Sequence, residues 1–204
     1  MKGKFITLFI LAAAFICAAL VTAQEPMTPE KQAEMQQKAM ELAQPGPEHQ
    51  KLAELAGNWT YTFKMWMSPA ETNPMIAGGK AEAKTAIGGR FLQLNYSGTF
   101  MGMPFEGFSV MGFDRRSSEY TSVGFDNMGT YWVSAQGPAD KETGVITMVG
   151  KDYDAFFKHT QEYKFVMELK SKDQFTFAVI FTDPITSQGT GNFKMVEIEY
   201  NRAK

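Results

Sequence analysis

Apolar and polar residues alternate along most of this chain, as they do in half-buried β-strands. In the segment 58–68 one face collects the large apolar side chains Trp59, Tyr61, Phe63, Met65 and Met67. The same period of two continues in short runs separated by Gly, Pro, Asn and Asp turns. These runs predict further strands at 79–87, 90–101, 104–114, 118–126, 129–136, 143–150, 159–170, 173–182 and 191–202. No helical period follows Gly57.

About ten short antiparallel strands at this spacing are typical of a β-sandwich or a β-barrel. We favour the barrel, because an open sheet of so many short strands would leave unpaired edges, and closure removes them. The predicted fold is therefore all-β, an antiparallel up-and-down barrel of about 8–10 strands. A barrel of this size has room inside for packed side chains or for one small ligand.

Two helices are predicted before the first strand. The alanine-rich segment 24–46 favours a helical extension or mobile linker, with Thr28 as its N-terminal cap. A short second helix starts at Pro47, and Gly57 stands where a left-handed C-terminal cap is needed. The predicted organisation is thus a linker at 24–46 and a barrel domain at 47–204.

The first 23 residues have the pattern of a secretory signal peptide: two early lysines, an apolar run and a small residue at Ala23. We expect cleavage near Ala23–Gln24 and a periplasmic or secreted chain without a membrane anchor; an uncleaved anchor is the alternative. The chain's single cysteine, Cys17, lies in this segment after the bulky Ile16, which argues against a lipoprotein signal. The mature chain then has no cysteine for a disulfide, a nucleophile or a thiolate metal site.

Composition adds little about function. The formal net charge is −2, which gives no reason to expect a nucleic-acid partner. The 17 Phe and 14 Met residues are more than usual. Such side chains either fill a core or line a cavity adaptably.

Gly57, Trp59 and Arg202 suggest how one end of the barrel is closed. In a closed barrel the last strand pairs with the first, so Arg202 can lie over the Trp59 indole. A cation–π contact of this kind contributes roughly 0.5–2 kcal/mol. We predict that these three residues form a structural barrel floor.

The Gly-x-Trp start and the closing Arg resemble the calycins, the superfamily of lipocalins and fatty-acid-binding proteins. A longer set of motifs resembles the bacterial domain-of-unknown-function 1579 family: Pro47-Glu48-His49, Leu55 to Trp59, Gly88-Gly89-Arg90-Phe91, Gly112-Phe113-Asp114 and Tyr200-Asn201-Arg202. This resemblance implies a lipocalin-like barrel over nearly all the mature chain. It implies no activity.

Candidate catalytic and metal-binding residues are few. His49 is expected to be structural, and His159, near Asp152 and Asp154, is a candidate for catalysis or for weak zinc or haem ligation. There is no Gly-x-Ser-x-Gly motif, and the paired glycines lead into strands rather than into a phosphate-binding helix. We therefore predict no metal, no cofactor and no assigned enzymatic activity.

The leading functional hypothesis is a barrel that holds a small hydrophobic or amphipathic ligand. The candidate wall residues are Tyr61, Phe63, Met65, Leu94, Tyr96, Phe125, Tyr131 and Phe165. The alternatives are a filled barrel that acts as a structural or protein-interaction module of the cell envelope, and an enzyme that uses His159. A slip of one residue at a glycine would turn a whole strand inside out, and the oligomeric state is left open.

Overall fold

A computed structural model describes residues 27–204; the predicted signal peptide lies outside the described residues. The chain divides into two units, one ending at Glu41 and the other running from Leu42 to Lys204.

Two helices precede the first strand: α1 (Pro29–Leu42) and α2 (Pro47–Ala53). The Thr28 hydroxyl accepts a hydrogen bond from the backbone N–H of Lys31 (3.3 Å), which confirms the predicted cap. Helix α1 buries none of its residues, whereas α2 buries His49 and Leu52. Helix α2 is therefore part of the core.

Ten strands follow, and together they confirm the predicted all-β fold. They are β1 (Gly57–Met65), β2 (Met75–Ala86), β3 (Phe91–Phe100), β4 (Met103–Asp114), β5 (Glu119–Asp126), β6 (Trp132–Gly137), β7 (Ile146–Asp154), β8 (His159–Ser171), β9 (Gln174–Phe181) and β10 (Phe193–Arg202). Each strand pairs antiparallel with its neighbours in sequence. Pairing of Trp59 with Arg202 and of Tyr61 with Tyr200 joins β1 to β10 and closes the barrel.

The barrel has two different ends. Helix α2 leads into β1 and packs against β3 and β4, so we call its end the helix end. The loops β1–β2, β3–β4, β5–β6, β7–β8 and β9–β10 lie at the opposite end, which we call the open end. Core residues fill the helix end, where Leu52, Leu55, Trp59, Phe175 and Tyr200 are buried together.

Tyrosine rings laid across glycines recur on the inner wall. The cross-strand pairs are Tyr61 with Gly79, Tyr96 with Gly107, and Tyr163 with Gly150. A Cβ atom on any of these glycines would lie within 2.4–2.7 Å of an atom of the tyrosine ring or hydroxyl. Glycine on one strand therefore makes room for a large ring from the next, as in other sheets where an aromatic side chain covers a glycine.

Candidate ligand-binding site

The helix end is closed by Trp59, which is 1% exposed. Its indole N–H donates to the Leu55 carbonyl (2.9 Å), and the Arg202 guanidinium carbon lies 4.3 Å from the ring centroid. Phe175 also packs edge-to-face with the indole, with ring centroids 4.8 Å apart. The structure thus brings Trp59 and Arg202 into the arrangement expected of a floor.

Arg202 also hydrogen-bonds to the residues that join helix α2 to strand β1. Its Nη atoms donate to the carbonyls of Ala56 (2.9 Å), Glu54 (2.9 Å) and Lys172 (2.7 Å). Gly57 is required here, because its φ is +135° and a Cβ would lie 2.7 Å from Arg202 Nη1. The floor is a structural element, and its polar groups are occupied by these contacts.

The inner wall is less tightly packed in its middle. Inner-facing side chains in the middle of strands remain only half-buried, among them Phe63, Leu94, Tyr96, Phe177 and Ile198. At the open end itself, Phe181 and Phe193 are buried against each other's strands. The half-buried side chains therefore mark the part of the inner wall that is most accessible.

The predicted wall residues differ in burial. Tyr61 and Phe165 are buried, at 7% and 5% exposure. Phe63, Leu94 and Tyr96 are half-buried on the inner face, and Met65 is half-buried at the end of β1.

Phe125 and Tyr131 do not belong to the inner wall. Phe125 stacks on Phe108 outside the barrel, with ring centroids 4.9 Å apart, and Tyr131 is 66% exposed in the β5–β6 loop. Inside, the Tyr96 ring covers Gly107 and its hydroxyl donates to the Phe125 carbonyl (3.1 Å), and pairing with β4 sets Gly124 opposite the inner-facing Ser109. The inner face of β5 is therefore formed by Tyr120, Ser122 and Gly124, and the predicted assignment was wrong by one residue.

A polar cluster lies on the inner wall near the open end. His159 Nε2 is 3.0 Å from Asp183 Oδ1 and 3.3 Å from the Thr186 hydroxyl. Two buried side-chain atoms in the described part of the chain have no hydrogen-bond partner, His159 Nδ1 and Asp152 Oδ1. Both residues lie on the inner face, where Asp152 pairs with Gln161 and His159 pairs with Asp154. A buried polar atom without a partner is costly, so these two atoms are the unsatisfied polar positions of the cluster.

Asp183 was not predicted from the sequence, yet it organises the cluster. Burial alone would raise its pKa, but hydrogen bonds from the Thr186 N–H, His159 and the Glu162 N–H lower the pKa to about 2. Asp183 is therefore charged at neutral pH. The Asp-Pro start of the β9–β10 loop signals a turn, but no sequence pattern pairs it with His159.

Asp183→Asn is expected to destabilise the barrel by about 2 kcal/mol at pH 7, because the pKa falls from 3.8 to about 2 on folding. A lowered pKa means that this contribution is complete above pH 4 and is lost as the pH falls through 2. Urea denaturation of both proteins from pH 7 to pH 2 measures the difference. Glu168→Gln, on the outer face of β8, is the control, and a constant gap between wild type and variant down to pH 2 would contradict the assignment.

The wall itself opens between β6 and β7. These strands pair only at Ala135–Gly150 and Gln136–Val149. Beyond them the Tyr163 hydroxyl takes the place of a strand partner: it donates to the Ser134 carbonyl (3.0 Å) and accepts from the Ser134 N–H (3.3 Å). A crevice of about 240 Å³ lies here, lined by Tyr131, Trp132, Ser134, Lys151 and Asp152.

A second concave surface lies outside the barrel. It is an open groove of about 970 Å³ across the outer faces of β1 to β5, with the stacked Phe108 and Phe125 at one side. Asn58, Lys80, Glu82 and Asn95 add polar groups to its lining, as expected for a solvated outer face.

The other candidate residues have local roles. His49 Nδ1 accepts a hydrogen bond from the Gly46 N–H (3.0 Å), and burial lowers the pKa of the His49 ring, which suits a neutral acceptor. Asp154 accepts from the N–H groups of Phe156 and Phe157 in the β7–β8 turn.

Within residues 27–204 no group of three or more His, Cys, Asp or Glu side chains is arranged to hold a metal ion. Nor does this region contain a helix long and apolar enough to cross a membrane.

The structure is a closed ten-stranded antiparallel barrel whose helix end is sealed by packed side chains. The chain belongs to the family described as Protein of unknown function (DUF1579), which matches residues 44–202. The family resemblance seen in the sequence is thereby confirmed. No curated protein matches the chain.

Solved structures with a similar fold are distant in sequence. The crystal structure of Rv2717c from M. tuberculosis superposes with a TM-score of 0.54 at 13% identity and covers 79% of this chain and 100% of that one. A de novo designed fluorescence-activating β-barrel has a TM-score of 0.41 at 13% identity and covers 72% of this chain and 93% of that one. At these identities the likeness concerns the fold alone.

Proposed function

We propose that this protein binds a small amphipathic molecule in the open half of its barrel. The carrying observation is that inner-facing side chains such as Phe63, Leu94 and Phe177 stay half-buried while the helix end is sealed. Each Å² of apolar surface that a ligand buries here contributes about 25 cal/mol to the favourable free energy of binding.

The polar cluster near the open end determines which polar group the ligand carries. When the His159 Nε2–H donates to Asp183, Nδ1 is an acceptor, and the free oxygen of Asp152 is an acceptor as well. Both atoms therefore need a donor. We infer that the ligand carries a hydroxyl or amine group, and that the acidic surroundings disfavour a carboxylate.

We also propose that the mature protein acts outside the cytoplasm, in the periplasm or secreted. The support is the signal-peptide pattern of residues 1–23. That compartment is oxidising, and a barrel without cysteines forms no disulfides there, so its structure stays the same.

Binding can be tested with a long-chain alcohol and a fatty acid of equal chain length, titrated by calorimetry. The wild-type protein should bind the alcohol more tightly than the acid. Val179→Trp, which fills the inner space, should weaken alcohol binding by at least about tenfold. Val149→Trp places the same ring on the outer face and should leave affinity unchanged. The proposal fails if neither compound binds, or if both variants lose affinity equally.

A further inference from the structure

Exposed apolar side chains gather at the open end of the barrel. Every one of its five loops or strand tips carries at least one: Met67, Met101, Met128, Phe156 and Ile185. Phe156 is 94% exposed and Met101 is 68% exposed. We call this ring of side chains the rim.

The helix end differs in composition. Its β4–β5 turn carries Arg115 and Arg116, its β6–β7 loop is charged and polar, and its β8–β9 turn carries Lys172 and Asp173. Ile87 is the exposed apolar residue among these turns. The five loops of the rim, in contrast, contain three charged residues, Glu71, Lys158 and the buried Asp183.

The rim is also layered. Phe156 and Phe157 occupy the tip of the β7–β8 hairpin, and Tyr153 lies one strand step behind them, 66% exposed. Trp132, 63% exposed, begins the nearby strand β6. Apolar tips backed by Tyr and Trp match the depth profile of a bilayer, where amphipathic rings lie at the level of the lipid head groups.

We propose that the rim docks on the surface of a lipid bilayer, with its apolar tips in the acyl boundary and the barrel mouth facing the membrane. Five separate apolar tips at one end of a closed barrel can each insert into a fluid layer, which needs no surface of complementary shape. The few rim charges nearly cancel, so docking does not depend on anionic lipid. Docked in this way, the open end of the barrel faces a source of amphipathic molecules.

The test uses vesicles of phosphatidylcholine with brominated acyl chains, which quench tryptophan fluorescence only at short range. The protein is used as isolated from its producing cells, so its N-terminus is the same in every variant. Wild-type fluorescence should be quenched, and Trp132→Phe should reduce the quenched signal to the part that comes from the half-buried Trp66 of the β1–β2 loop. Met101→Ser and Phe156→Ser together should weaken vesicle binding by at least about tenfold.

Ile87→Ser is the matched control. Ile87 and Met101 are 70% and 68% exposed in tight turns, and both have φ +51°, but they lie at opposite ends of the barrel. Ile87→Ser should bind vesicles like wild type, and all variants should keep the wild-type melting temperature. The proposal is overturned by an absence of quenching, by equal losses in the two variants, or by a lipid-free dimer that the rim variants dissociate. It is independent of the ligand proposal, because vesicle binding is measured without added ligand.

Discussion

Trp59→Ala is expected to lower the free energy of unfolding by about 3–5 kcal/mol, the range for deleting a fully buried large aromatic side chain. The substitution removes the indole from the packed helix end and leaves the Leu55 carbonyl without its hydrogen bond of 2.9 Å. It also takes away the ring under the Arg202 guanidinium. The backbone can close the cavity only in part, because Arg202 still holds the carbonyls of Glu54 and Ala56.

Urea denaturation followed by circular dichroism measures this effect, since tryptophan fluorescence itself changes in the variant. Trp132→Ala is the control, because that side chain is 63% exposed and its loss should change stability by less than about 0.5 kcal/mol. Similar losses in the two variants would show that the floor does not hold the barrel together.

Trp59 also illustrates what the sequence can predict. Alternation is a local signal, and each strand shows it separately, so ten strands and their closure into a barrel were predictable from the chain. Closure makes β10 the strand that pairs with β1, so a contact between Trp59 and Arg202 could be predicted, and the structure supplies the register. Helix ends were readable for the same local reason, as at Thr28.

The inner face of β5 was not predictable in the same way. Gly124 has no side chain to mark its face, and its orientation follows from pairing with β4, where it lies opposite the inner-facing Ser109. Phe125 is consequently outside although it is among the most apolar residues of the strand. The polar cluster has a similar origin, because Asp183 meets His159 across 24 residues and the contact leaves no local pattern. Contacts between strands thus decided what alternation within a strand could not.

Gly150→Ala is expected to destabilise the barrel by about 3 kcal/mol, at the upper end of the usual cost of overpacking. Its Cβ would lie 2.3 Å from the Ser134 carbonyl oxygen and 2.4 Å from Tyr163 Cε2. Neither neighbour can move away without a large cost in free energy. One is strand backbone, and the other is a buried ring whose hydroxyl both donates to and accepts from Ser134.

Amide hydrogen exchange gives this prediction a local measurement beside the unfolding free energy. Where β6 and β7 separate, the Ser134 N–H is protected by the Tyr163 hydroxyl, so displacement of that ring by Gly150→Ala should speed exchange at Ser134. Gly124→Ala is the matched control on the inner face, because its Cβ would meet Val133 at an ordinary 3.4 Å. It should cost less than about 1 kcal/mol. If Gly150→Ala is equally mild and Ser134 stays protected, Tyr163 is not what joins β6 to β7 here. The two strands are then held together only by the residue pairs Ala135–Gly150 and Gln136–Val149.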